Sequence, residues 1–186
     1  MLDGQDITSY TIDKRAQAGM GFAFQQPPRF KGMTVKRLLS LAAGTELDDT
    51  TCCELLSSVG LCAKEYINRE ADATLSGGEM KRIEIATVLA KDHKICVFDE
   101  PEAGIDLWSF SMLIKRFEQI HKEKKQSLIL ISHQERIIRM ADRIMVIGDG
   151  KVEAVGTADE IVPILFGKKP ESCGCRIQKG GELYER

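Results

Sequence analysis

The chain has 186 residues and a formal net charge of -2, with 43% hydrophobic and 29% charged residues, ordinary values for one soluble globular domain of mixed type. No apolar run approaches the roughly eighteen residues of a membrane helix, and the opening Met1-Leu2-Asp3-Gly4-Gln5-Asp6 does not read as a secretory signal. With 26 basic residues against 28 acidic ones and no basic stripe, nothing in the charge pattern calls for nucleic acid.

In chain order, residues 1–9 read as a strand end and turn, and Gly21 to Phe24 as a short buried strand. A helix is predicted over 34–43 with Thr34 as its N-cap, and helical stretches over 50–60 and 63–68. Residues 30–75 thus read as an all-helical insert. From Gly78 to Lys91 a helix carries Met80, Ile83, Thr87 and Ala90 on one face. A strand follows over Lys94 to Phe98, then a long amphipathic helix from Asp106 to Lys124 with the stripe Leu107, Phe110, Ile114, Phe117 and Ile120. Ser127 to Ile131 is an apolar run of strand length, followed by a short helix, Gln134 to Met140. Arg143 to Ile147 and Lys151 to Ala154 form a hairpin about Asp149-Gly150. Strands alternating with helices predict a mostly parallel α/β sheet. The domain is read as 1–166, with a linker-like tail over 167–186.

Six cysteines, at 52, 53, 62, 96, 173 and 175, read as reduced cytosolic thiols, which places the protein in the cytoplasm. Cys96 lies inside an apolar strand and is expected in the core. Cys173-Gly174-Cys175 supplies two thiols where a closed metal site needs about four ligands.

Four constellations carry chemistry. Leu75-Ser76-Gly77-Gly78-Glu79 opens a helix, where close backbone approach, outward amides and the helix dipole favour an anion such as phosphate. Ile95-Cys96-Val97-Phe98-Asp99-Glu100-Pro101 brings two adjacent carboxylates to the end of an apolar strand, where α/β sheets bind ligands. One acid can hold magnesium and the other can orient water. Ser132-His133-Gln134 follows a second such strand, and a histidine there can donate to a transferring phosphate. Phe24-Gln25-Gln26-Pro27-Pro28 sends a glutamine out of a strand into a proline-stiffened loop. Each alone is an ordinary cap, strand end, loop residue or turn. His93 and His121 read as exposed loop and helix residues on lysine-rich ground.

The order of the four is more telling than any of them. Taken together the chain resembles the ABC ATPase family over about residues 1–165. Gln25 resembles that family's Q-loop glutamine, Ser76-Gly77-Gly78 its signature, Asp99 its Walker B aspartate and Glu100 its catalytic base. Ala103-Gly104-Ile105-Asp106 matches the D-loop and His133 the switch histidine, and the insert before Ser76 matches the helical subdomain. The resemblance implies a P-loop NTPase fold and hydrolysis of ATP with Mg2+. Asp99 and Gln25 would help hold the metal, Glu100 would orient water and His133 would stabilise developing charge. Ser76, Gly77, Gly78, Glu79 and Asp106 would contact nucleotide across a head-to-tail dimer.

The family's Gly-x-x-x-x-Gly-Lys-Ser/Thr phosphate loop has no match in these 186 residues. Leu2 to Ile7 resembles the stretch just after the phosphate-loop helix, so the sequence reads as beginning inside the domain. These residues alone are therefore expected to expose sheet edges, to fold poorly and to bind ATP weakly. Glu79 stands where transporter ATPases commonly have Gln, and Gly78 to Glu84, Glu100 to Phe110 and Phe22 to Pro28 are similar to the SUF iron–sulfur cluster assembly ATPases. That similarity implies a SUF-type scaffold partner docked near Gln25 to Leu41. The alternatives are a membrane permease, as partner of a transporter subunit, or a non-catalytic remnant that lends its signature to a related ATPase.

Overall fold

The computed structural model describes residues 1–123 and 125–167. Cys173 and Cys175, and the tail reading as a whole from residue 168, lie outside the described residues. The chain divides into two compact units, Met1–Ile137 and Ile138–Arg186.

The first unit opens with a turn bridged between Leu2 and Gln5, then helix α1 (Ile12–Gln17) and strand β1 (Met20–Ala23). Strand β2 (Phe30–Thr34) runs straight into helix α2 (Val35–Ala43). Thr34 is the N-cap and accepts the Arg37 N–H at 3.3 Å, while Gly44 ends the helix at φ +75. Helix α3 (Asp49–Ser58) starts where the Asp48 carboxylate accepts the Thr51 N–H at 2.7 Å. Helix α4 (Ala63–Tyr66), strand β3 (Glu70–Ala71) and helix α5 (Gly77–Leu89) follow, then strand β4 (Ile95–Asp99), helix α6 (Leu107–Glu123), strand β5 (Ser127–Ile131) and helix α7 (Glu135–Ile138).

Strands β1, β4 and β5 form a parallel sheet in the order β1-β4-β5. Met20 to Ala23 pair with Ile95 to Phe98, and Ile95 to Asp99 with Ser127 to Ile131. In this register the three strands end level, so Phe24-Gln25, Glu100 and Ser132-His133 leave along one edge. Helix α6 covers β4 through Phe117, whose ring centroid lies 4.9 Å from that of Phe98, and both side chains are fully buried. Helix α5 is buried on all sides, including Met80, Ile83, Ile85, Ala86 and two charged residues, Lys81 and Glu84.

The second unit holds an antiparallel hairpin of β6 (Ile144–Gly148) and β7 (Lys151–Gly156), then helix α8 (Ala158–Phe166). Asp149 and Gly150 at its turn both have positive φ, +47 and +72, the geometry a tight two-residue hairpin loop needs. Thr157 and Glu160 form a capping box at the start of α8.

Four expectations change. Residues 30–75 are not all helical: β2 and β3 pair antiparallel, which the mixed sequence Phe30-Lys31-Gly32-Met33-Thr34 concealed. Strand β1 ends at Ala23, and Phe22 and Phe24 are 39% and 49% exposed, so the run is only half buried. Helix α5 shows no single apolar stripe, because it is enclosed. His93 is half-buried against Gly21 instead of exposed, and burial pulls its imidazole pKa down. Cys96 is buried as expected, and burial pushes its thiol up to about 11.

Candidate functional site

The level strand ends bring together residues far apart in sequence. The Gln25 side-chain amide donates to Glu100 Oε2 at 3.0 Å across 75 positions. Glu100 has φ +45, a left-handed conformation that costs a non-glycine residue energy and is kept only where the surroundings enforce it. Its N–H donates to the Ile131 carbonyl at 2.9 Å, which ties the start of the loop to the end of β5. Asp99, immediately before it, is the last residue of β4 and half-buried. Gln25 turns its side-chain N–H toward Glu100, and its amide oxygen and the carboxylate of Asp99, from neighbouring strand ends, are hard-oxygen donors of the kind magnesium takes.

The third strand end is also fixed. Ser132 Oγ donates to Glu102 Oε1 at 2.5 Å and accepts the Gln134 N–H at 3.0 Å. This short turn presents His133 to solvent on the edge that carries Glu100.

At the start of α5, Ser76 Oγ accepts the Glu79 N–H at 3.2 Å and Glu79 Oε2 accepts the Ser76 N–H at 2.6 Å, a reciprocal capping box. The other Glu79 oxygen accepts the Tyr66 hydroxyl. That bond, the Ser76 bonds and nearby Arg69 bring the Glu79 carboxyl down to about 2. Glu79 is therefore ionised at neutral pH and committed to its own helix, which leaves the amides of Gly77 and Gly78, the first two helical residues, without intrahelical acceptors. A Cβ on Gly78 would run into the Gly104 carbonyl, whereas one on Gly77 would meet nothing within 4 Å. The loop 101–106 crosses the helix start at Gly78, and only glycine allows it. Asp106 ends that loop by accepting the N–H groups of Trp108 at 3.0 Å and Ser109 at 2.9 Å, capping α6.

All the sequence-predicted site residues thus lie either on the shared strand edge (Gln25, Asp99, Glu100, His133) or around the start of α5 (Ser76, Gly77, Gly78, Glu79, Asp106). Sequence reading missed Tyr66, Lys81 and Glu84. The signal for the latter pair was two opposite charges three residues apart, interleaved with the apolar Met80, Ile83 and Ile85 of the same helix.

Comparison with known proteins gives the family and the fold. The family model described as ABC transporter matches residues 1–103. An uncharacterized ABC transporter ATP-binding protein of Methanocaldococcus jannaschii is 37% identical over 97% of this chain and 74% of its own length. The energy-coupling factor transporter ATP-binding protein EcfA2 of Caldanaerobacter subterraneus subsp. tengcongensis is 33% identical over 86% of this chain. The sulfate/thiosulfate import ATP-binding protein CysA of Synechocystis is 32% identical over 87%. The chain spans only 58% of the EcfA2 protein and 45% of CysA. Among solved structures, a dimeric ATP-binding cassette in a post-hydrolysis state bound to ADP and Pi superposes with a TM-score of 0.73 at 20% identity, covering 84% of this chain and 71% of that one. That likeness fixes the fold as the P-loop NTPase type of ABC cassettes.

Proposed function

The chain belongs to the ABC transporter family, and on that premise we propose that it is the ATP-binding and ATP-hydrolysing part of an import-type transporter, working on the cytoplasmic side with a membrane permease. The observation that carries the hydrolytic reading is the 3.0 Å bond between Gln25 and Glu100 beside Asp99, on the carboxyl edge of a parallel sheet.

Asp99 and the Gln25 carbonyl would hold Mg2+, which supplies charge neutralisation to a transferring phosphoryl group. Glu100 is already aimed by Gln25 and by its enforced backbone, and it orients the attacking water and accepts its proton. His133 donates a hydrogen bond to developing phosphate charge. Gly77 and Gly78 offer amides at a helix N-terminus, and Ser76 its hydroxyl, to the phosphates of a nucleotide held by a second subunit, with Asp106 shaping the loop between. The partner subunit is a second copy of this protein or a related ATPase, as in the dimeric cassette above.

A second reading has one specific support, Glu79 and its neighbours Gly78 to Glu84, which are similar to the SUF assembly ATPases and imply a soluble scaffold partner. The relatives with named cargo are import and energy-coupling proteins, and they favour the permease. Phosphate release from Mg-ATP by the native-length protein, followed by fractionation of its natural host, tests both levels. Hydrolysis with recovery in the membrane fraction beside a hydrophobic permease is expected. Hydrolysis with a soluble scaffold replaces the permease, and no ATP binding at all refutes the hydrolytic reading.

A further inference from the structure

The buried ion pair of α5 lies directly behind the strand edge, and its bonds go to the residues that launch the two reacting side chains. Lys81 is 1% exposed and Glu84 6%, with Lys81 Nζ 3.6 Å from Glu84 Oε2. Lys81 Nζ also donates to the Asp99 carbonyl at 2.7 Å and to the Phe24 carbonyl. Glu84 Oε1 accepts the Phe24 N–H at 2.9 Å. Phe24 is the first residue beyond the β1 pairing and Asp99 the last of β4, so neither of these Phe24 groups is held by the β1–β4 ladder. One ammonium with three donors spans two strand ends, and its carboxylate partner holds the same Phe24 from the other side.

We infer that Lys81 and Glu84 are positioning residues for the reaction: they lock Phe24 to Asp99, and so hold Gln25 and Glu100, each the next residue, at their working separation. The inference rests on the hydrolytic reading above and deepens it. An apolar pair of similar volume would be cheaper to bury than two charges. It could not donate to either carbonyl, however, and reacting groups displaced by even about 1 Å lose on the order of a hundredfold in rate. The pair also links the helix that begins with Ser76-Gly77-Gly78 to the strand edge, so a shift of α5 would be felt at Gln25 and Glu100 together.

The test uses the native-length protein with Lys81→Met and with Lys81→Met/Glu84→Gln. The double variant removes both charges from the interior while leaving the Phe24 N–H an acceptor. Relative to the single variant it is expected to regain most of the lost urea midpoint. Its kcat nevertheless stays about 10- to 100-fold below wild type with the KM for Mg-ATP little changed. Amide hydrogen exchange is the second readout. The segments Gln25–Phe30 and Asp99–Ala103 should exchange about tenfold faster while Ile83–Val88 is unaltered. Recovery of kcat together with the midpoint would make the pair purely structural and overturn the inference. Unchanged exchange at both segments would overturn it as well, even if the wild-type protein proved to have no ATPase activity. In that last case the exchange result stands by itself, and the loss falls on the hydrolytic reading.

Discussion

Strands β4 and β5 are neighbours in one parallel sheet, each five residues long and built mainly from apolar side chains, yet their surroundings differ. In β4, Cys96, Val97 and Phe98 are all buried. In β5, Ile129 and Ile131 are 46% and 48% exposed. Composition made both strands predictable, but which faces are covered depends on α5 and α6. The covered strand is also the one whose end carries Asp99 and Glu100. Close packing behind a strand end is what lets a residue such as Glu100 be held in a costly backbone conformation.

The contrast can be broken most directly in the two cores. Phe98→Ala removes a ring packed at a tilt against Phe117 and should cost about 3–5 kcal/mol in urea unfolding, whereas Ile129→Ala should cost no more than about 1 kcal/mol. Equal costs would mean the two strands are covered alike. Neighbouring glycines at the start of α5 sharpen the same distinction on a smaller scale. Gly78→Ala forces a methyl into the Gly104 carbonyl and should destabilise by about 1–3 kcal/mol. Gly77→Ala, with open space around it, should be neutral or slightly stabilising. A Gly78→Ala protein of wild-type midpoint would show that loop 101–106 moves freely off the helix.

The smallest effect is electrostatic. The Glu79 carboxyl, held near 2 chiefly by the Tyr66 hydroxyl, has a folded pKa below its ordinary value of 4.5. Its contribution to stability is therefore fully present above about pH 4.5 and is lost as the pH falls toward 2. Tyr66→Phe should lower the urea midpoint at pH 7, and the gap to wild type should shrink as the pH is taken through that window. A gap independent of pH would assign the loss to packing alone.

Much of this was legible in the sequence because it is local. Thr34 as a cap, Asp149-Gly150 as a hairpin turn and the strands read over Lys94 to Phe98 and Ser127 to Ile131 follow from short-range chemistry, and the structure has them there to within a residue at each end. The β2–β3 pair was not legible, since it joins residues about forty positions apart and β3 is two residues long. The Gln25–Glu100 approach could be expected only from the resemblance, because nothing local to either residue specifies a partner 75 positions away. Lys81 and Glu84 drew no site reading from the sequence, because only an enclosed α5 turns them inward. The SUF-like substitutions at Glu79 and nearby were read as a branch marker, but the named relatives point to transporters. In the structure Glu79 serves as the cap of its own helix.

The hydrolytic centre itself is tested by Glu100→Gln in the native-length protein, incubated with Mg-ATP and then analysed for bound nucleotide. The variant should bind ATP and retain it uncleaved, with phosphate release about 10²- to 10⁴-fold below wild type, while the wild-type protein yields ADP. Phosphate release by the variant at the wild-type rate would contradict the assignment of Glu100, and with it the reading of the Gln25–Asp99–Glu100 edge as the site of hydrolysis.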